Sequence, residues 1–133
     1  MWVFLSDSFL SIVEDRANPA RLLVRGRIKG DIERAFPEAS VTETPDADYR
    51  YRARIDRDAV AEALARQVYQ MNYDNFKGSV KDIERHNAYF DCWRAMVNYQ
   101  TQAHLVSLNN RGQLVRDCRV SAPRTTRSKT TTT

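Results

Sequence analysis

Two stretches of this chain alternate arginine with apolar or small residues. In Arg21-Leu22-Leu23-Val24-Arg25-Gly26-Arg27-Ile28, an extended backbone puts Arg21, Arg25 and Arg27 on one face and Leu22, Val24 and Ile28 on the other. In Tyr49-Arg50-Tyr51-Arg52-Ala53-Arg54-Ile55 the alternation is cleaner still, with Arg50, Arg52 and Arg54 opposite Tyr49, Tyr51, Ala53 and Ile55. If the two strands are neighbours, six guanidinium groups share one surface, and each can hold a phosphate or carboxylate bidentately. Such a face suits a nucleic-acid backbone or an acidic protein patch. It equally suits a solvated sheet face neutralised by cross-strand acids such as Glu14, Asp15 or Glu43. The same alternation turns Tyr49 and Tyr51 away from the arginines, so no base-stacking platform is expected beside them.

Other chemistry finds little support. His86 lies at helical spacing from Tyr89, Trp93 and Met96, with no further ligand at a metal-binding interval, so it reads as a hydrogen-bonded packing residue. Cys92 reads as a small core or boundary residue, because no pattern ties it to a histidine as a nucleophile would require. Asp82, Glu84 and Asp91 spread around a helix instead of converging on a cation. The sequence has no phosphate-binding glycine loop, no G-x-S-x-G, no H-E-x-x-H and no dinucleotide fingerprint. No catalytic residue, metal or cofactor is expected. One loop stands apart, Asn72-Tyr73-Asp74-Asn75-Phe76-Lys77-Gly78. There Tyr73, Asn75, Phe76 and Lys77 either plug a gap between helices or offer a contact to a partner.

The elements that position these residues follow from periodicity. Residues 2–5 and 9–13, around Ser6-Asp7-Ser8, predict an opening hairpin, and residues 22–28 a third strand. Asp31 to Phe36 forms a short helical turn stopped by Pro37. Residues 41–44 and 49–55 flank Pro45-Asp46-Ala47-Asp48 as a second hairpin. Asp56 is placed to cap a helix over residues 57–71, with Val60, Ala63, Leu64, Gln67, Val68 and Met71 inward. Ser79-Val80-Lys81-Asp82 resembles a capping box for a long helix to about Thr101. Its apolar residues, Val80, Ile83, Tyr89, Phe90, Trp93, Met96 and Val97, exceed one stripe, which predicts a helix held between the sheet and the helix before it. The expected fold class is α+β, an antiparallel sheet of four or five strands with two main helices packed on one face.

Composition divides the chain. The first hundred of its 133 residues hold 15 basic and 16 acidic side chains and all thirteen aromatics, while the last thirty-three hold 6 basic and 1 acidic. The overall charge of +4 is therefore a near-neutral body plus a basic extension. One globular domain is expected over residues 1–101, a hairpin or loose extension over 102–120, and a disordered, basic, Thr-rich tail over 121–133. Two cysteines make no disulfide framework, and the apolar opening is too short for a membrane span, so a cytoplasmic setting is expected.

The segments Met1-Trp2-Val3-Phe4-Leu5, Phe9-Leu10-Ser11-Ile12-Val13, Gly30-Asp31-Ile32-Glu33, Thr44-Pro45-Asp46-Ala47-Asp48-Tyr49 and Phe76-Lys77-Gly78-Ser79-Val80 resemble a family of short, uncharacterised bacterial proteins. The resemblance covers about residues 1–100 and implies no activity, ligand or catalytic residue; the chain beyond Gln100 departs from the pattern. Together these features predict a small non-enzymatic module binding stoichiometrically to a larger protein or protein–nucleic acid assembly. By analogy it would be an inhibitor carried on a mobile element against a host defence complex. The alternative is direct nucleic-acid binding through the arginine face and the basic tail, which could also bind nucleic acid weakly and without specificity; no membrane partner is expected.

Overall fold

A computed structural model of the chain describes residues 1–109, with side chains as far as Val106. The elements run β1 (Trp2–Phe4), β2 (Phe9–Glu14), β3 (Arg21–Gly26), α1 (Asp31–Ala35), β4 (Thr42–Glu43), β5 (Tyr51–Asp56), α2 (Arg57–Tyr69), α3 (Phe76–Ser79) and α4 (Ile83–Asn109). One compact unit spans Met1–Ala95 and a second begins at Met96. The first holds a five-stranded, wholly antiparallel sheet in the order β1-β2-β3-β5-β4. The fold class is α+β, and both expected hairpins are present.

Alternation decides which sheet face is buried. Leu10 and Ile12 of β2, Val24 of β3, and Tyr51 and Ala53 of β5 point to one side. There they meet Ile32 of α1, Phe36 just beyond it, and Val60 and Ala63 of α2. α1 starts at Gly30, whose φ of +91° is the left-handed region; a Cβ there would sit 3.0 Å from the Arg34 guanidinium. Asp56 occupies the N-cap of α2, but its carboxylate pairs with Arg21 at 3.2 Å and makes no side-chain cap. Of the expected inward stripe, Val60 and Ala63 are buried and Leu64 is half-buried, whereas Gln67, Val68 and Met71 are exposed. The first half of α2 lies on β5 and β3, while a groove of about 920 Å³ separates its second half from β1.

α4 departs most from expectation. Its N-cap is Asp82, whose Oδ1 accepts the Arg85 backbone N–H at 2.7 Å, and not Ser79. The Ser79 hydroxyl belongs to α3: it donates to the Phe76 carbonyl at 2.7 Å and is hydrogen-bonded to the Ser6 hydroxyl at 2.6 Å. The helix runs to Asn109, past Thr101 and into the segment expected to be a hairpin or loose extension. The remainder of the expected hairpin or loose extension, 110–120, and the tail at 121–133 lie outside the described residues. Nor is α4 sandwiched: Tyr89 is its one buried large side chain among the described residues, and Ile83, Phe90, Trp93, Met96, Val97, Tyr99, Leu105 and Val106 are all exposed. No helix among the described residues is long and apolar enough to cross a membrane.

Candidate functional site

The arginine face forms, but with a different membership. Antiparallel register lines up Trp2, Ser11, Arg25, Arg52 and Thr42 in one row across all five strands. Val13, Leu23 and Arg54 form the next row, and Phe4 and Phe9 pair on the other side of the first. Residues directly opposite in a sheet share a face, so these side chains stand on the side away from the core. Arg27 and Arg50 fall just outside β3 and β5. Arg50 is exposed and reaches toward the Pro45 carbonyl at 3.5 Å. Arg21 is taken by Asp56, and Arg54 pairs with the buried carboxylate of Asp15 at 3.2 Å, the cross-strand neutralisation expected of Asp15.

Tyr49 corrects the alternation. Strand β5 begins only at Tyr51, so Tyr49 sits in the turn and its ring lies buried under Arg25 and Arg27, with guanidinium carbons 4.5 and 4.1 Å from the centroid. It packs on the arginine side, opposite to Tyr51, and its carbonyl accepts Arg52 Nε at 3.1 Å. Arg25 and Arg27 thus cover the Tyr49 ring while Arg52 holds its carbonyl, which gathers three guanidinium groups around one residue. The only carboxylate within ion-pair range of these three, among the described residues, is Asp48, 3.8 Å from Arg52.

A second cluster joins α1, α4 and the β1–β2 turn. Arg85 of α4 grips Asp31 bidentately at 2.7 and 3.0 Å, and Asp31 also pairs with Arg34 and accepts the Phe9 backbone N–H at 3.0 Å. Asp31 is fully buried. Burial disfavours the Arg85 charge, but hydrogen bonding to Asp31 and Tyr89 more than offsets it, and the pKa lies above the ordinary arginine value. The Tyr89 hydroxyl donates to the Ser8 and Leu5 carbonyls at 2.8 and 3.0 Å. Burial pushes the Tyr89 phenol above its ordinary value near 10.

A raised folded pKa means the fold holds this proton more tightly than the unfolded chain does. The resulting stability is complete below pH 10 and is lost as pH rises through the folded value. Tyr89→Phe should therefore cost about 1–3 kcal/mol at neutral pH, by leaving the Leu5 carbonyl unpaired and taking one of two donors from the Ser8 carbonyl, which keeps the Leu5 backbone N–H. In urea unfolding at pH 7, 9 and 11, the gap between wild type and variant should narrow only at the highest pH.

The loop at 72–78 resolves into packing, capping and one half-buried ammonium. Phe76 stacks on Tyr89 at 5.7 Å and lies 5.9 Å from Tyr73, which makes both half-buried plugs. Asn75 caps α3, its Oδ1 accepting the Lys77 N–H at 3.1 Å. Lys77 places its ammonium 4.1 Å from the centre of the Trp93 ring. Trp93 stacks with Phe90 at 5.5 Å, and the two remain 47% and 38% exposed. Sequence reasoning missed this surface, having assigned Phe90 and Trp93 to a buried helix.

His86 and Cys92 do not meet. His86 Nδ1 bonds the Lys77 carbonyl at 3.1 Å, while Cys92 is exposed and borders a hollow lined by Phe4, Phe9, Arg85 and Tyr89 but not His86. Six residues on a helix turn two side chains well away from each other. Cys92 is thus a surface residue and not a core or boundary one. Among the described residues, no three His, Cys, Asp or Glu side chains gather as metal ligands would. The chain matches no family model, no curated protein and no solved structure.

Proposed function

We propose that this chain is a non-enzymatic interaction module that binds stoichiometrically to a larger protein through the Phe90–Trp93 surface. The observation that supports this most is the stacked aromatic pair left open on α4 beneath the Lys77 ammonium. Aromatic side chains on a rigid element are the commonest anchors of protein interfaces, and a monomer gains nothing by holding them in water. Lys77 has no ion-pair partner among the described residues, so a complementary surface offers an apolar pocket with a carboxylate at its rim. A second copy fits less well, because an isologous contact would bring one cation-bearing patch against another.

Capture from a bacterial lysate with the full chain tests this reading. Trp93→Glu should weaken retention of the partner at least about thirtyfold, and Trp2→Ala should leave it unchanged. Equal retention by wild type and Trp93→Glu, or a light-scattering mass showing the surface filled by a second copy, would reject it.

A further inference from the structure

We propose that the open face of the sheet binds single-stranded nucleic acid, with phosphates along Arg25 and Arg52 and a base stacked on Trp2. This site is separate from the α4 surface and does not depend on it. Arg25 and Arg52 are direct cross-strand partners, and like charges so placed repel unless an anion lies between them. Neither is well neutralised from within. Arg25 has no carboxylate partner among the described residues; its Nη2 bonds the Ser11 hydroxyl at 2.7 Å, and its buried Nε bonds nothing. Arg52 has only Asp48 at 3.8 Å.

Beside this pair lies a hollow of about 530 Å³ whose lining includes Arg16, Arg25 and Arg54 together with Glu14 and Asp15, the latter already held by Arg54; it is large enough to receive a phosphate with its sugar. At the far end of the same row stands Trp2, 65% exposed, with Phe9 edge-on to it at 6.0 Å. Cationic groups and an open aromatic plane therefore follow one line across one face. That is the combination by which proteins hold single strands, whose unpaired bases offer their π-faces. A duplex keeps its bases stacked inside and gives Trp2 nothing to stack on. An acidic peptide would answer the arginines but leave the tryptophan idle. Tyr49 serves as the support beneath the guanidinium groups, because its ring is already covered.

The test uses the full chain, so that the six basic residues beyond Gln100 are present in every variant. Probes are a fluorescent ten-nucleotide single-stranded oligothymidylate, a duplex of the same length and a polyglutamate of matching charge. Single-stranded probe should bind most tightly and should quench tryptophan fluorescence. Trp2→Ala should weaken it about tenfold and remove most of the quenching. Arg52→Gln should weaken it and make the slope of log affinity against log salt shallower by about 0.7, the signature of one lost phosphate contact. Trp93→Glu should change none of this, which keeps the result independent of the α4 surface. Three outcomes overturn the inference: no single-strand binding at 50 mM salt, duplex or polyglutamate binding as tightly, or both sheet variants matching wild type, since affinity then belongs to the C-terminal charges. Trp2 is exposed on an edge strand, so its replacement reads binding even if Arg52→Gln proves unstable.

Discussion

Replacing Asp31 by alanine should destabilise the fold by about 3–5 kcal/mol, the cost of leaving a buried charge without its partner. Arg85 is 12% exposed and depends on Asp31 for both of its short hydrogen bonds, while Arg34 and the Phe9 backbone N–H lose an acceptor as well. For a body of about a hundred residues, the melting temperature should fall on the order of 15 °C or more. Arg85→Met in the same chain should recover much of that loss, because the stranded cation is then gone. Additive losses in the double variant would show that the pair is not coupled. The cluster has a further consequence for the α4 surface. Arg85 and Tyr89 tie the start of this helix to α1 and the β1–β2 turn, so Asp31→Ala should also loosen Phe90 and Trp93. A hydrogen-exchange increase at residues 83–95 larger than that in β3 would show it.

Ile32→Ala should be comparably severe, at about 2–5 kcal/mol. Ile32 is fully buried and is the one large apolar residue of a helix only five residues long. Such a helix has no stability of its own and is held by what it buries. The site cannot easily collapse, because Ile32 packs against Gly26 of β3, where even an added Cβ would come within 3.3 Å of Cγ1. A cavity opened there lies against Leu10 and Val24, the middle of the core. Chemical denaturation of this variant should show a lower midpoint with an unchanged slope; a loss under 1 kcal/mol would mean that α1 is a peripheral element.

How much of this was legible in the sequence depended on the range over which each decision is made. The strands and the turn at 45–48 were readable because alternation and turn chemistry are local properties. The arginines of β3 and β5 were correctly suspected of sharing a face, since nothing beyond strand adjacency was needed. Tyr49 was misplaced because alternation holds only inside a strand, and β5 starts two residues later. Trp2 could not be assigned to that row without the strand order, which no local pattern contains. The same limit applied to α4. Its apolar residues implied burial, yet α4 docks on the first strands and α1 mainly through its own Tyr89 and Arg85, and the Asp31–Arg85 pair joins residues 54 apart in the chain. The one hint available was Gly30-Asp31, a left-handed turn followed by an acid, which read as a helix start and gave no sign of a buried ion pair.

The central claim is that the open Phe90–Trp93 surface meets another protein. Its most direct test is a photo-crosslinking amino acid placed at position 93 of the full chain, with the same group at position 66 on α2 as control, irradiated in bacterial cells. The expected result is one defined adduct from position 93, heavier than twice the 15.4 kDa chain or otherwise distinct from it by mass spectrometry, and none from position 66. No adduct at position 93, the same adducts at both positions, or an adduct consisting of two copies of this chain would contradict it.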